Sequence, residues 1–255
     1  MLVIIYMSLL FIFLLVSNEI FRRSKIMGWL AFLILPILLI PWGIYFDKNY
    51  SLFLWLKTYS VPAAACIVLL YRFSQLEHKQ WLTYLLWLIL ALNILEAVVD
   101  SFVRGEPFMY LNAVAGIILI ISIPKMNILV DNRDQKRDFL WMMPLGWIIG
   151  YTLWNWTFVY LGWTDLSVRH IPILLAPLAF EFIKPGIWFQ TRAFTLGIYV
   201  ILRFTYEPLF QGLSVPNFYN PLAAQIFTGV TLVWVGLYLL RHISVIIQER
   251  KTIKK

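Results

Sequence analysis

The chain has 255 residues, 61% of them hydrophobic and only 13% charged, with a mean hydropathy of +0.78. A soluble domain carries about a quarter charged residues, so this composition argues against a water-soluble fold and for helices threaded through a bilayer. The net charge of +8 does not suggest nucleic acid as a partner, because the basic residues are scattered through the loops and form no continuous stripe.

In chain order, apolar runs predict helices near 2–17, 28–46, 52–71, 81–99, 109–124, 139–162, 171–183, 187–204 and 222–242. Crossing about 30 Å of hydrocarbon takes roughly 20 helical residues. The expected fold is therefore an all-α polytopic transmembrane bundle of about nine spans, forming one integral membrane domain over 1–255. Segment 171–183 is short and carries Pro172 and Pro177. An alternative is seven or eight spans plus a short re-entrant element there. The first run has no basic residue before it and no small-residue cleavage site after it, which reads as a retained helix.

Charge orients the bundle. With the N-terminus outside, 15 of the 21 Lys and Arg residues fall on inner loops and the C-terminal tail. Only Lys48, Arg104, Arg169 and Arg203 fall outside, while Lys57 and Arg192 lie within helices. The positive-inside rule then gives an external N-terminus and a cytoplasmic C-terminus.

A repeat accompanies this pattern. Residues 35–41 read Leu-Pro-Ile-Leu-Leu-Ile-Pro and residues 171–177 read Ile-Pro-Ile-Leu-Leu-Ala-Pro. Each precedes a Trp-x-x-Thr helix, beginning at Trp55 and Trp188, that closes on Arg-Phe. The odd offset between the matched helices suggests inverted halves, 1–100 and 138–244, around a central fifth helix.

Polar residues within apolar helices are costly and therefore informative. Asn93, Glu96 and Asp100 share one face of the fourth helix. Lys57 and Tyr59 stand at comparable outer depth on the third, Asn112 on the fifth, and Tyr151, Trp154 and Asn155 on the sixth. Together they suggest an outward-facing, substrate-binding polar cavity with a Lys57–Glu96 ion pair. A second, inner cluster comprises Glu181, Lys184, Gln190 and Arg192, with a Glu181–Arg192 salt bridge expected. The bland alternative is that all of these pair only to hold helices together.

Neither a metal site nor a cofactor is expected. His78, His170 and His242 fall in separate segments, and Cys66 is alone in an apolar run. Signatures of hydrolases, zinc proteases and phosphate loops are missing too, so no catalytic residue is assigned.

The strings Asn18-Glu19 with Arg22-Arg23-Ser24-Lys25, Trp55-Leu56-Lys57-Thr58-Tyr59-Ser60 and Asn93-Ile94-Leu95-Glu96-Ala97 carry a resemblance. So do the run from Trp147 to Asn155, Phe182-Ile183-Lys184, the run from Trp188 to Ala193, and Asn220-Pro221. The chain resembles, along nearly its whole length, a family of bacterial multi-pass membrane proteins known only as a domain of unknown function. The resemblance implies a protein of the bacterial cytoplasmic membrane and no particular activity.

The leading functional expectation is a transporter or permease for a small solute, with the lipid bilayer as its surroundings. An intramembrane enzyme acting on a lipid or isoprenoid is the first alternative. A receptor, sensor or partner subunit without transport is the second.

Overall fold

The computed structural model describes residues 2–46, 52–74, 79–216 and 218–253. Lys48, His78, Lys254 and Lys255 lie outside them, as do the side chains of Lys57 and Arg250. The described chain is overwhelmingly helical. Helix α1 covers Leu2–Arg23, and a continuous helical stretch follows from α2 (Lys25–Trp29) through a π-helical turn (Leu30–Ile34) to α3 (Leu35–Phe46). Then come α4 (Leu52–Phe73), α5 (Gln80–Arg104) and α6 (Pro107–Ile121). After a hairpin of β1 (Ile128–Asp131) and β2 (Asp138–Trp141) follow α7 (Leu145–Gly162), α8 (Thr164–Ile183) and α9 (Trp188–Thr205). A 3-10 segment (Glu207–Leu213) leads to α10 (Pro221–Ile253).

Among the described residues, four helices are long and apolar enough to cross a membrane: Leu2–Arg23, Gln80–Arg104, Thr164–Ile183 and Pro221–Glu249. Shorter apolar helices cover Lys25–Pro41, Thr58–Phe73 and Pro107–Ile121.

Two elements differ from the sequence expectation. The helix anticipated over 139–162 begins only at Leu145, because Asp138–Trp141 pairs antiparallel with Ile128–Asp131. Pro144, extended at φ −62° and ψ 134°, separates strand from helix. The short element expected at 171–183 is the second part of the 20-residue helix α8. Its polar start reads as loop, yet Asp165 in the first turn suits the positive end of a helix.

Two of the helix prolines, Pro36 and Pro177, are accommodated by side chains. Pro36 has no N–H to offer the Phe32 carbonyl four residues back. That carbonyl, itself within the π-helical turn that precedes the proline, accepts the Cys66 thiol of α4 at 3.1 Å. Pro177 stands in the same relation to Ile173, whose carbonyl accepts Arg192 Nη1 of α9 at 3.4 Å. Both departures from backbone bonding are thus met from a neighbouring helix.

The chain forms two compact units that interleave in sequence. The first comprises 1–87, 126–142 and 169–214. In it α4 packs along α9, with Phe32 stacked on Phe194 at 5.3 Å and edge-on to Phe21 at 4.8 Å. Gly197 lets Phe32 lie against α9, since a Cβ there would stand 2.8 Å from its ring.

The second unit comprises 88–125, 143–168 and 215–255. Here α10 packs along both α6 and α7, which also pack on each other. Met109 meets Gly162, and the Asn220 amide donates to Tyr160 Oη at 2.9 Å. The start of α6, the end of α7 and the start of α10 therefore share one end. At the opposite end Trp147 Nε1 donates to the Leu119 carbonyl at 3.2 Å, and Trp234 Nε1 to that of Gly146 at 2.9 Å. Helix α7 is thus antiparallel to both neighbours.

Candidate functional site

In the first unit, the hairpin is held by a dense charged cluster. Asp138 is fully buried. Its Oδ1 accepts Arg22 Nε at 3.1 Å and Gln190 Nε2 at 3.0 Å, and its Oδ2 accepts Arg22 Nη2 and Lys184 Nζ, both at 2.7 Å. Burial alone would raise the Asp138 pKa, but the bonds from Arg22, Lys184 and Gln190 outweigh it and hold the carboxyl well below the usual range. Asp131, bonded first by Arg133 and then by Lys184, is depressed likewise. The Lys184 ammonium, partly desolvated but facing both carboxylates, is raised.

Arg72 completes the anchor from α4 and is also fully buried. Its guanidinium donates to the carbonyls of Phe21, Arg22, Lys136 and Arg137 and lies 4.6 Å over the Phe73 ring. Glu19 collects Arg22 at 2.6 Å, Arg23 at 2.7 Å and Lys136 at 3.0 Å. Each carboxylate here is matched by cations, so the cluster acts as a clamp.

Of the inner residues named from sequence, Lys184 and Gln190 join this clamp, while Glu181 and Arg192 take other partners. Glu181 accepts the amides of Gly186 at 2.7 Å and Trp188 at 2.9 Å, and so caps α9 where the sequence predicts an ion pair with Arg192. Gly186 makes that turn with φ +89°, a conformation suited to glycine. Gln190 reaches β2 twice, accepting the Phe139 amide at 2.7 Å and donating to Asp138. Sequence reasoning placed Lys184 in this inner set and left out Asp138. That aspartate sits outside the apolar runs, where a charge normally reads as solvated.

The outer residues fall in both units. In the first, Tyr59 is half-buried and stacks on Trp55 with ring centroids 5.6 Å apart. In the second, Asn93, Glu96 and Asp100 are partly exposed on α5, and Asp100 accepts Arg104 Nε at 2.7 Å. Asn155 is half-buried on α7.

Three of the expected cavity residues meet in the second unit. Trp154 Nε1 donates to the Asn112 carbonyl at 3.0 Å, and the Trp154 ring lies 5.7 Å from Tyr151. Asn112 is 1% exposed, and neither its side-chain oxygen nor its side-chain nitrogen has a hydrogen-bond partner among the described residues. One turn past Trp154, Thr157 bonds Thr231 of α10 at 3.0 Å. The Thr228 hydroxyl, also on α10, is buried and without a hydrogen-bond partner among the described residues. The three threonines escaped the sequence reading because a hydroxyl is common and cheap in an apolar helix, although Thr228 and Thr231 share a face.

A family relationship spans the whole chain, residues 1–255. The chain belongs to a family of unknown function, DUF5692. No curated protein and no solved structure matches it. Membership of DUF5692 brings no activity with it, so function has to come from the site's chemistry.

Proposed function

We propose that this chain is an integral protein of a bacterial cytoplasmic membrane, N-terminus outside and C-terminus inside, that works as a permease for a small polar solute. Lipid exposure is supported by α10, where Leu222, Ile226, Val230, Val233, Leu237 and Leu240 are all exposed. So large an apolar face is a liability in water and an asset in hydrocarbon. Seven spans follow if the shorter apolar helices also cross, and about nine if α7 and α9 do so as well.

The observation that carries the transport reading is the Asn112 amide. A buried amide without partners costs about 1–3 kcal/mol, and Asn112 leaves both of its polar atoms in that condition. It lies near the shared end of α6, α7 and α10, beside Trp154. A hydrogen-bonding solute or water passing this point would complete its bonds.

Swelling of proteoliposomes in glycerol, urea or glycine tests the reading. Wild-type protein should accelerate swelling over empty liposomes for at least one of these solutes. Asn112→Leu should abolish that acceleration while leaving thermal stability equal or higher, because an unsatisfied amide is replaced by an apolar group of similar size. Swelling no faster than in empty liposomes, or a variant that still conducts, rejects the permease. A second reading, a sensor or partner subunit without transport, is favoured by the fully matched charges of the hairpin clamp.

A further inference from the structure

In the first unit, Arg169 of α8 is 1% exposed, and its guanidinium is only partly used. Nη1 donates to Glu207 Oε1 at 2.7 Å. Nε and Nη2 are buried and have no hydrogen-bond partner among the described residues. The guanidinium carbon lies 5.8 Å from the ring centroids of both Tyr199 and Phe210, each 2% exposed. The rings attract the cation but accept none of its in-plane N–H groups in a linear bond.

The unfilled Nε–Nη2 edge is the side of a guanidinium that grips two oxygens of one oxyanion at once. Charge favours such an occupant. Glu207 also accepts Arg203 Nε at 3.2 Å, so one half-exposed carboxylate serves two arginines and an excess positive charge remains. A guanidinium is permanently charged, and leaving its donors unmatched in a buried place costs more than leaving a neutral group so.

We propose that Arg169 is the base of a binding site for a small oxyanion of carboxylate or phosphate type, held bidentate on Nε and Nη2 and flanked by Tyr199 and Phe210. Glu207 occupies the remaining donor and competes electrostatically with the ligand. The 3-10 segment that carries Glu207 and Phe210 forms one wall, so its displacement admits the anion. A free anion and a lipid headgroup phosphate share this chemistry, and the probes below separate them. The site is independent of the permease reading, which rests on the second unit.

The test titrates purified, detergent-solubilised protein with sodium acetate, with inorganic phosphate and, in separate samples, with phosphatidylglycerol in mixed micelles, reading thermal stability and intrinsic fluorescence. Chloride at matched ionic strength is the control. Saturable stabilisation by acetate or phosphate identifies a free anion, and stabilisation by phosphatidylglycerol alone identifies a headgroup. Arg169→Lys keeps the charge but loses the paired edge, so affinity should fall about tenfold or more. Glu207→Gln removes the competing charge at a half-exposed position and should tighten binding several-fold, which keeps the test alive if Arg169 variants do not fold. Absence of a saturable response to all three probes overturns the proposal. So does an affinity unchanged in Glu207→Gln, or unchanged in a folded Arg169→Lys protein.

Discussion

Asp131 and Asp138 face each other directly across the β1–β2 hairpin, and the Lys184 ammonium lies 2.9 and 2.7 Å from their carboxylates. Like charges directly opposite on paired strands repel. Lys184, just past the end of α8, turns that repulsion into a three-way attraction, and Arg22 from α1 adds a second cation to Asp138, the more deeply buried of the two. The hairpin is thereby fixed between two helix ends distant in sequence. Its apolar side chains follow, with Phe139 edge-on to Tyr71 at 5.2 Å and Trp141 tilted against Phe189 at 5.2 Å.

Lys184→Met should therefore destabilise the protein by about 3 kcal/mol, the lower end for breaking a buried pair, because Arg22 still serves Asp138. Adding Asp131→Asn to it removes the facing charge and should recover part of the loss. Thermal unfolding of the wild type, both single variants and the double variant measures the coupling. Strictly additive effects would show that the lysine does not bridge the two carboxylates.

The same groups set a pH dependence. Asp131 and Asp138 have depressed pKa values in the folded chain, so their contribution is complete above the unfolded value near 3.9 and is lost as pH falls through the folded ones. Lys184 is raised, so its contribution is complete below roughly 10.4 and is lost as pH rises through its folded value. Hairpin docking should be flat from about pH 5 to 10 and weaken in acid. Limited proteolysis of the hairpin turn, by an acid-active protease below pH 4 and by trypsin at Arg133 above it, reports this docking. Cleavage independent of pH across the acid range would contradict the linkage.

Much of the helical layout was legible because an apolar run of helix length can satisfy its backbone only one way in an apolar setting. The hairpin was not legible. Phe139, Leu140 and Trp141 continue almost unbroken into the apolar start of α7, and a strand of four residues has too few positions to show period-two alternation. Pro144 was the one local signal. At the site, Asn112 and Trp154 stood out as polar or bulky groups on predicted helix faces, and they do meet. Gln190 and Glu181 stood out as well, but their partners are backbone amides and a hairpin aspartate, which side-chain spacing cannot reveal. The Lys57 half of the expected Lys57–Glu96 pair lies outside the described residues.

The proposed orientation can be checked with cysteines placed in a Cys66→Ala background. Asp134 in the hairpin turn and Glu106 before α6 are both exposed. A membrane-impermeant maleimide applied to intact spheroplasts should label Glu106→Cys, and should label Asp134→Cys only after lysis. The opposite pattern would reverse every inside and outside assignment. Equal labelling of both positions before lysis would remove the membrane topology altogether.

The closest helix approach beside the Asn112 site gives the last prediction. A Cβ on Gly116 would stand 2.5 Å from Val98 Cγ2 and 2.9 Å from Trp154 Nε1. Val98 is 3% exposed and Trp154 1%, so neither has free space to retreat into. Gly116 is also one turn along α6 from Asn112, whose carbonyl accepts that same indole N–H. Gly116→Ala should therefore cost about 1–3 kcal/mol as an overpacked core does, and it should push Trp154 away from the Asn112 carbonyl. Val98→Ala alone leaves a cavity and also destabilises. Combined, the two changes relieve each other on the Val98 side, so the double variant should be more stable than the sum of the single effects implies. Thermal unfolding of the four proteins gives the coupling, and tryptophan emission follows Trp154. If Gly116→Ala proves neutral with unchanged emission, α6 does not approach α7 closely enough for Trp154 to hold Asn112, and the permease reading loses its support.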